Sequence, residues 1–178
     1  MRTSSAADIW EELADGAAGE SVLWAEALLP PGERAAEPVF SPLGPERHAL
    51  GVETIYEGYL VHYGRPRLFA PSDADTALLL GDYLYAHGLV RVAEVASAAA
   101  VADLAELISL CAQLRAEQRD GDGAAWAATT AALGSGRLAA PREALAAGSA
   151  EPLLALARAE SGDDAVASAL GAHARHVG

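Results

Sequence analysis

The chain contains no lysine. Its 12 basic residues are all arginine, set against 25 acidic ones, for a net charge of −13. Phosphate backbones and anionic membranes call for clustered positive charge, so neither nucleic acid nor an anionic bilayer is an expected partner. Cysteine occurs once, at Cys111, which excludes an intrachain disulfide and fits a reducing compartment. Met1 to Trp10 has no basic-then-apolar signal pattern. The longest apolar run, Val95 to Ala102, is interrupted by Ser97 and is far too short to span a bilayer. Together these point to a cytoplasmic protein with no integral membrane segment. Aromatics make up only 6% of the chain and β-branched residues are sparse, which disfavours sheets. Gly-x-Ser-x-Gly elbows, phosphate-binding glycine loops and dinucleotide fingerprints are all missing.

What is present is alanine, within a hydrophobic fraction of 52% over 178 residues. That suffices for one domain with a substantial core, and it favours helices. Ser4 or Ser5 is placed to cap a helix over Ala6–Ala14, and Ser21 a second running to Leu29. Residues 30–45 form a Pro- and Gly-rich connector. An apolar face of Val52, Ile55, Tyr56, Tyr59, Leu60 and Tyr63 predicts a helix from about Glu46, with Glu53 and Glu57 to one side. Ser72 or Asp73 caps the next helix, which continues to about Ser97, and Asp103 opens another. Asp120–Gly123 reads as a turn and 134–140 as a flexible break. Short helices follow over Trp126–Leu133, Pro141–Ala147, Pro152–Glu160 and Asp163–His176. The expected fold is all-α, a single domain over 1–178 with eight or nine helices.

The most conspicuous stretch is Leu78–Arg91. At roughly 100° per residue, Asp82 shares an apolar face with Leu78, Ala86, Leu89 and Ala93. A carboxylate buried there would need a partner. Gly81, Gly88 and Val92 form a small-residue stripe open to close helix approach. Arg65 and Arg67, flanking Pro66, are the densest basic spot and a candidate anion contact; the alternative is two solvated loop arginines. Metal sites find little support. Asp73, Asp75, Asp163 and Asp164 sit where acids cap helices, and Asp120 and Asp122 lack the terminal Glu of a Ca²⁺ loop. His173 and His176 have no third zinc ligand in view, and Cys111 lies on an apolar helix face. No catalytic residue and no metal ligand is assigned.

Three segments together resemble trans-prenyl diphosphate synthases. Ala49-Leu50-Gly51-Val52-Glu53-Thr54-Ile55-Tyr56-Glu57-Gly58-Tyr59-Leu60-Val61-His62 is similar to the helix leading into that family's first Asp-rich motif. Leu79-Leu80-Gly81-Asp82-Tyr83-Leu84-Tyr85-Ala86 resembles the following helix, which carries a Gly-Asp-x-Leu pattern. Ala169–Gly178 looks like the helix before the second motif. The resemblance covers most of 20–178 and implies an isoprenoid-synthase-type helical bundle, shorter than full-length prenyl synthases. Where the family holds Mg²⁺ and diphosphate on carboxylates, Tyr63-Gly64-Arg65-Pro66-Arg67 follows instead. Of a basic diphosphate-binding segment, only Arg34 remains in Gly32–Pro38, opposed by Glu37, and no second Asp-rich motif occurs before Gly178.

The resemblance therefore implies the small or regulatory subunit of a heteromeric, heptaprenyl-type synthase. It would have no cofactor of its own, Mg²⁺ entering only through a larger catalytic subunit. Tyr59, Tyr63, Gly81, Asp82, Tyr85 and Gly88 would line a prenyl tunnel or the partner interface. Asp82→Ala would then harm folding or docking more than any catalysis. The alternative is a stand-alone helical protein that binds a prenyl or other lipid ligand, or a self-associating homodimeric module without enzyme activity.

Overall fold

The computed structural model describes residues 6–177. They form nine α-helices: α1 (Ala6–Glu20), α2 (Val22–Ala27), α3 (Ala49–Tyr63), α4 (Ala74–Val95), α5 (Ala98–Ala116), α6 (Asp122–Ala131), α7 (Ala139–Ala146), α8 (Glu151–Ser161) and α9 (Asp163–Val177). The all-α bundle expected from composition is what forms. Side-chain caps start three of the helices. Ser21 Oγ accepts from Leu23 N, Asp73 Oδ1 from Thr76 N, and Ser97 Oγ from Ala100 N, each contributing about 1 kcal/mol.

Several boundaries differ from the expected ones. Helix α1 runs through Gly16 and Gly19 to Glu20 rather than stopping at Ala14. The proposed caps Ser4 and Ser5 lie outside the described residues. Helix α5 begins at Ala98 because Ser97 is its cap, which leaves Asp103 inside the helix. There Asp103 accepts the Gly134 N–H at 2.8 Å, so the expected break at 134–140 is a turn tied to α5. Gly134 and Gly136 supply its positive φ angles of 73° and 75°. The connector 30–45 holds two 3₁₀ turns, Pro31–Glu33 and Ser41–Leu43, and a third at Glu46–His48 leads into α3.

Two helices are buried all round. Every residue of Gly51–Leu60 in α3 and of Gly123–Thr130 in α6 is buried. Their sequences allow it: glycine, alanine and threonine let neighbours approach, while Ile55, Tyr56, Tyr59 and Trp126 supply bulk. Phe40 stacks on Trp126 at 5.6 Å and meets Tyr56 edge-on at 5.1 Å, and Tyr56 meets Trp126 edge-on at 5.1 Å. Such pairs add roughly 0.5–1.5 kcal/mol each beyond area burial. A second, smaller core joins Trp10, Leu13, Trp24, Leu68, Phe69, Leu80 and Leu84. An isolated bridge, Leu28 to Phe69, brings the end of α2 alongside the loop after α3.

The closest contact in the bundle is α3 against α4, antiparallel. Gly51 faces Gly88 and Gly58 faces Gly81, each pair one heptad from the other. A Cβ on Gly88 would lie 2.4 Å from Ile55 Cγ1 and 2.9 Å from the Gly51 carbonyl oxygen. One on Gly58 would lie 3.0 Å from the Gly81 carbonyl oxygen. The small-residue stripe read from the sequence is thus real, and a helix of the same chain fills it.

Gly88→Ala is expected to force α3 and α4 apart and destabilise the fold by about 1–3 kcal/mol. Gly171→Ala, in α9 with nothing within 4 Å of its Cβ position, is expected to stabilise by roughly 0.5–1 kcal/mol. Urea melts of the two variants should shift in opposite directions.

Candidate functional site

Two buried polar networks lie around α3. The first is built on Arg67. Its side chain and those of Glu53 and Glu57, one turn apart on α3, are fully buried. Arg67 Nη1 donates to Glu53 Oε2 at 2.6 Å and to the Glu37 carbonyl at 2.9 Å, and Nε donates to Glu57 Oε2 at 2.9 Å. The guanidinium is sandwiched between the rings of Trp10 at 4.6 Å and Tyr56 at 4.9 Å. The remaining carboxylate oxygens hold backbone. Glu53 Oε1 accepts from Val39 N and Ser41 N, and Glu57 Oε1 from Arg67 N and Leu68 N. Burial opposes the charge on Arg67, but the two glutamates outweigh it and push its pKa up.

The second network joins α3, α5, α6 and α9. Asp122, the first residue of α6, accepts from the Tyr59 hydroxyl and from Arg115 Nη2 on α5. Arg115 Nε also donates to the Tyr59 oxygen at 3.0 Å. His173 Nδ1 lies 2.9 Å from the Tyr56 hydroxyl, and its Nε2 is 3.7 Å from Asp122 Oδ1, beyond hydrogen-bond range. Burial alone would raise the Asp122 pKa. His173, the Tyr59 hydroxyl and the Arg115 charge outweigh it and hold the carboxyl well below the usual range. Burial drives both phenols far up, so Tyr56 and Tyr59 stay protonated as donors. This cluster is the more accessible of the two, with Arg115 29% and Asp122 13% exposed. Its chemistry is that of a fixed Arg115–Asp122 ion pair between α5 and α6, joined to α3 through the Tyr59 hydroxyl, with His173 of α9 bonded to Tyr56 beside it.

The residues singled out from sequence do not gather into one site. Asp82 is corrected most clearly. It shares a face of α4 with Ala86 and Ala93, as the helical spacing predicts, but that face looks outward. The Asp82 side chain is 66% exposed, with Oδ1 3.3 Å from His62 Nε2 in a contact too poorly aligned for a hydrogen bond. Exposure removes the reason to expect Asp82→Ala to harm folding. Gly81 and Gly88 face α3. Tyr59 is buried, and Tyr63 and Tyr85 are half-buried. Tyr63 packs on Tyr59 at 5.3 Å and Tyr85 on His62 at 5.1 Å.

Arg65 and Arg67 part ways, which corrects the paired anion contact. Exposed Arg65 donates to the Arg175 carbonyl at the end of α9, while Arg67 is locked between its glutamates. Arg34 Nε donates to the Leu29 carbonyl at 2.7 Å. His173 and His176 also diverge, His176 Nδ1 lying 3.1 Å from the Arg65 carbonyl. Among the described residues, no group of three or more His, Cys, Asp and Glu is placed to hold a metal ion. Mg²⁺ needs several hard oxygen ligands. Beside α3 the carboxylate oxygens already serve Arg67 and four backbone N–H groups, so this donor set does not fit it.

Sequence reasoning missed both networks. The signal for the first was available: two acids four apart in a wholly apolar helix, and an arginine followed directly by Leu68-Phe69-Ala70. The Asp120–Gly123 pattern reads as turn chemistry, and nothing local to Asp122 indicates Tyr59 or His173. No helix among the described residues is long and apolar enough to cross a membrane. No family model, no curated protein and no solved structure matches the chain.

Asp122 has its folded pKa below its unfolded one. Its stabilisation is therefore present above about pH 4 and lost as pH falls below that toward the folded value. Asp122→Asn should lower stability at neutral pH and flatten the acid limb of a stability–pH profile. Cys111 is 1% exposed, with its thiol pushed up by burial. A chromogenic disulfide reagent should modify it only as the chain unfolds, at a rate tracking denaturant concentration.

Proposed function

We propose that this chain is a non-catalytic helical subunit that acts on a catalytic partner. The specific form of that reading is the small or regulatory subunit of a polyprenyl diphosphate synthase. The observation that carries it is the place taken by Arg67. In the family that the sequence resembles, the segment after the Ala49–His62 helix supplies carboxylates for Mg²⁺ and diphosphate. In this chain the same segment delivers a buried arginine, clasped by Glu53 and Glu57. A guanidinium repels a divalent cation, and leaving-group stabilisation is central to prenyl transfer. The acids nearest the old site now hold the fold.

The tyrosines suggested as tunnel lining pack on one another and on neighbouring rings. Influence on chain length accordingly comes through a helical interface with the partner, and Mg²⁺ belongs to that partner. Co-expression with a long-chain prenyl synthase from the same genome tests this. The two chains are expected to co-purify, and product analysis should show an altered chain length relative to the synthase alone. The isolated chain should show no Mg²⁺-dependent turnover of allylic diphosphate. Turnover by the isolated chain, or failure to form a complex, would contradict the reading.

A further inference from the structure

We propose that the outer face of α4, with the start of α2 beside it, docks an amphipathic helix of a different chain whose apolar stripe is flanked by Arg or Lys. This names the chemistry of the partner and rests on the reading of the chain as a subunit. A helix apolar on all sides is normally covered on all sides. Helix α4 is apolar on two, and only one is covered: Gly81, Leu84, Gly88 and Val92 are buried, while Leu79, Ala86, Val90 and Ala93 form a stripe open to solvent. Among the described residues the exposed large hydrophobics are Val22, Leu23, Leu78, Leu79, Val90 and Val95, between 46% and 73% exposed. Two of them, Leu79 and Val90, belong to the stripe, Leu78 lies about 100° to one side of it and Val95 in the cleft beside Arg47 and Gly51; Val22 and Leu23 are on α2, whose Trp24 stacks on Tyr83 of α4. Exposed apolar residues scattered singly need no explanation; gathered on one helix pair they mark a contact surface. The stripe from Leu79 to Ala93 covers roughly 21 Å of α4 and seats about four turns of helix.

Charge selects among occupants. The exposed ionisable groups on α4 are Asp75, Asp82 and Glu94, with Glu20 and Glu26 close by on α1 and α2. Asp82 stands within the stripe, between Leu79 and Ala86. Its neighbour from α3, His62, is held toward the neutral form by burial, which Asp82 only partly offsets. The cationic side chains of α4 turn elsewhere. Arg91 donates to Thr54 Oγ1 and the Glu12 carbonyl, and His87 stacks on Tyr83. An anionic bilayer is repelled by such a face. A second copy would lay one acid-flanked stripe on another, with only Arg47 and Arg91, beside Val90 and Val95 at one end, to set against the acids. A partner helix with basic flanks satisfies both the apolar stripe and the acids.

The test uses the full chain and three labelled synthetic 22-residue peptides. One is an amphipathic helix with a leucine stripe flanked by Arg. The second has the same composition in scrambled order, and the third carries Glu flanks. The first is expected to bind at least tenfold tighter than either control, with affinity falling as salt rises. Leu79→Glu, Val90→Glu and Asp82→Arg should each weaken it at least tenfold while helix content and melting stay unchanged, because all three positions are exposed. Equal binding of the scrambled peptide, or full binding by the variants, would overturn the proposal. So would dimerisation of the free chain that Leu79→Glu abolishes, since the face would then serve a second copy. Failure of the prenyl synthase to co-purify, with the peptide result intact, would sink the synthase reading alone.

Discussion

Arg67 carries a full charge that solvent does not reach, and the bundle is arranged so that this is tolerable. Desolvating a guanidinium costs several kcal/mol even after relaxation, and attraction offsets that only with good geometry and satisfied hydrogen bonds. Here two carboxylates and a backbone carbonyl accept from it, and two rings cover its faces. Isolated buried ion pairs can often be replaced by apolar side chains. This one differs, because Glu53 and Glu57 also satisfy four backbone N–H groups, at Val39, Ser41, Arg67 and Leu68. Without them the two loops that flank α3 would bury unpaired donors, each costing roughly 1–3 kcal/mol.

The same helix has three further obligations. Its glycines interlock with those of α4, its aromatics fill the space against α6, and Tyr59 reaches the Asp122–Arg115 pair. Charge, close approach and bulk therefore converge on α3 from different directions. A change on any side is transmitted to the rest, since none of its central ten residues faces water. The outer face of α4 is the counterpart: apolar like the core, yet free of it.

Local pattern made much of this legible. Alanine content and helical spacing gave the fold class and most of the helices. The Gly81–Gly88 stripe announced a close helix contact, although the spacing says nothing of whose helix fills it. Periodicity also placed Asp82 correctly among Ala86 and Ala93. What it cannot supply is which of two apolar faces the fold covers, and for α4 the Gly81 face won because α3 brings matching glycines. Spacing misplaces a helix start where a serine cap competes with a later aspartate, as at Ser97 and Asp103. The networks lay furthest from view. Their partners are separated by 7 to 117 residues, and no helical period encodes a pairing between Tyr56 and His173.

The proposed role as a non-catalytic subunit depends on Arg67 being a structural element rather than a free cation beside a ligand. A double-mutant cycle between Arg67 and Glu57, read by urea denaturation, measures that most directly. Arg67→Met should cost about 3–5 kcal/mol, a large share of the roughly 5–15 kcal/mol that holds a domain together. Adding Glu57→Gln should cost much less than it does in the wild-type background, because the two act as one unit. A folded Arg67→Met variant within about 1 kcal/mol of wild type, with additive effects, would contradict the account.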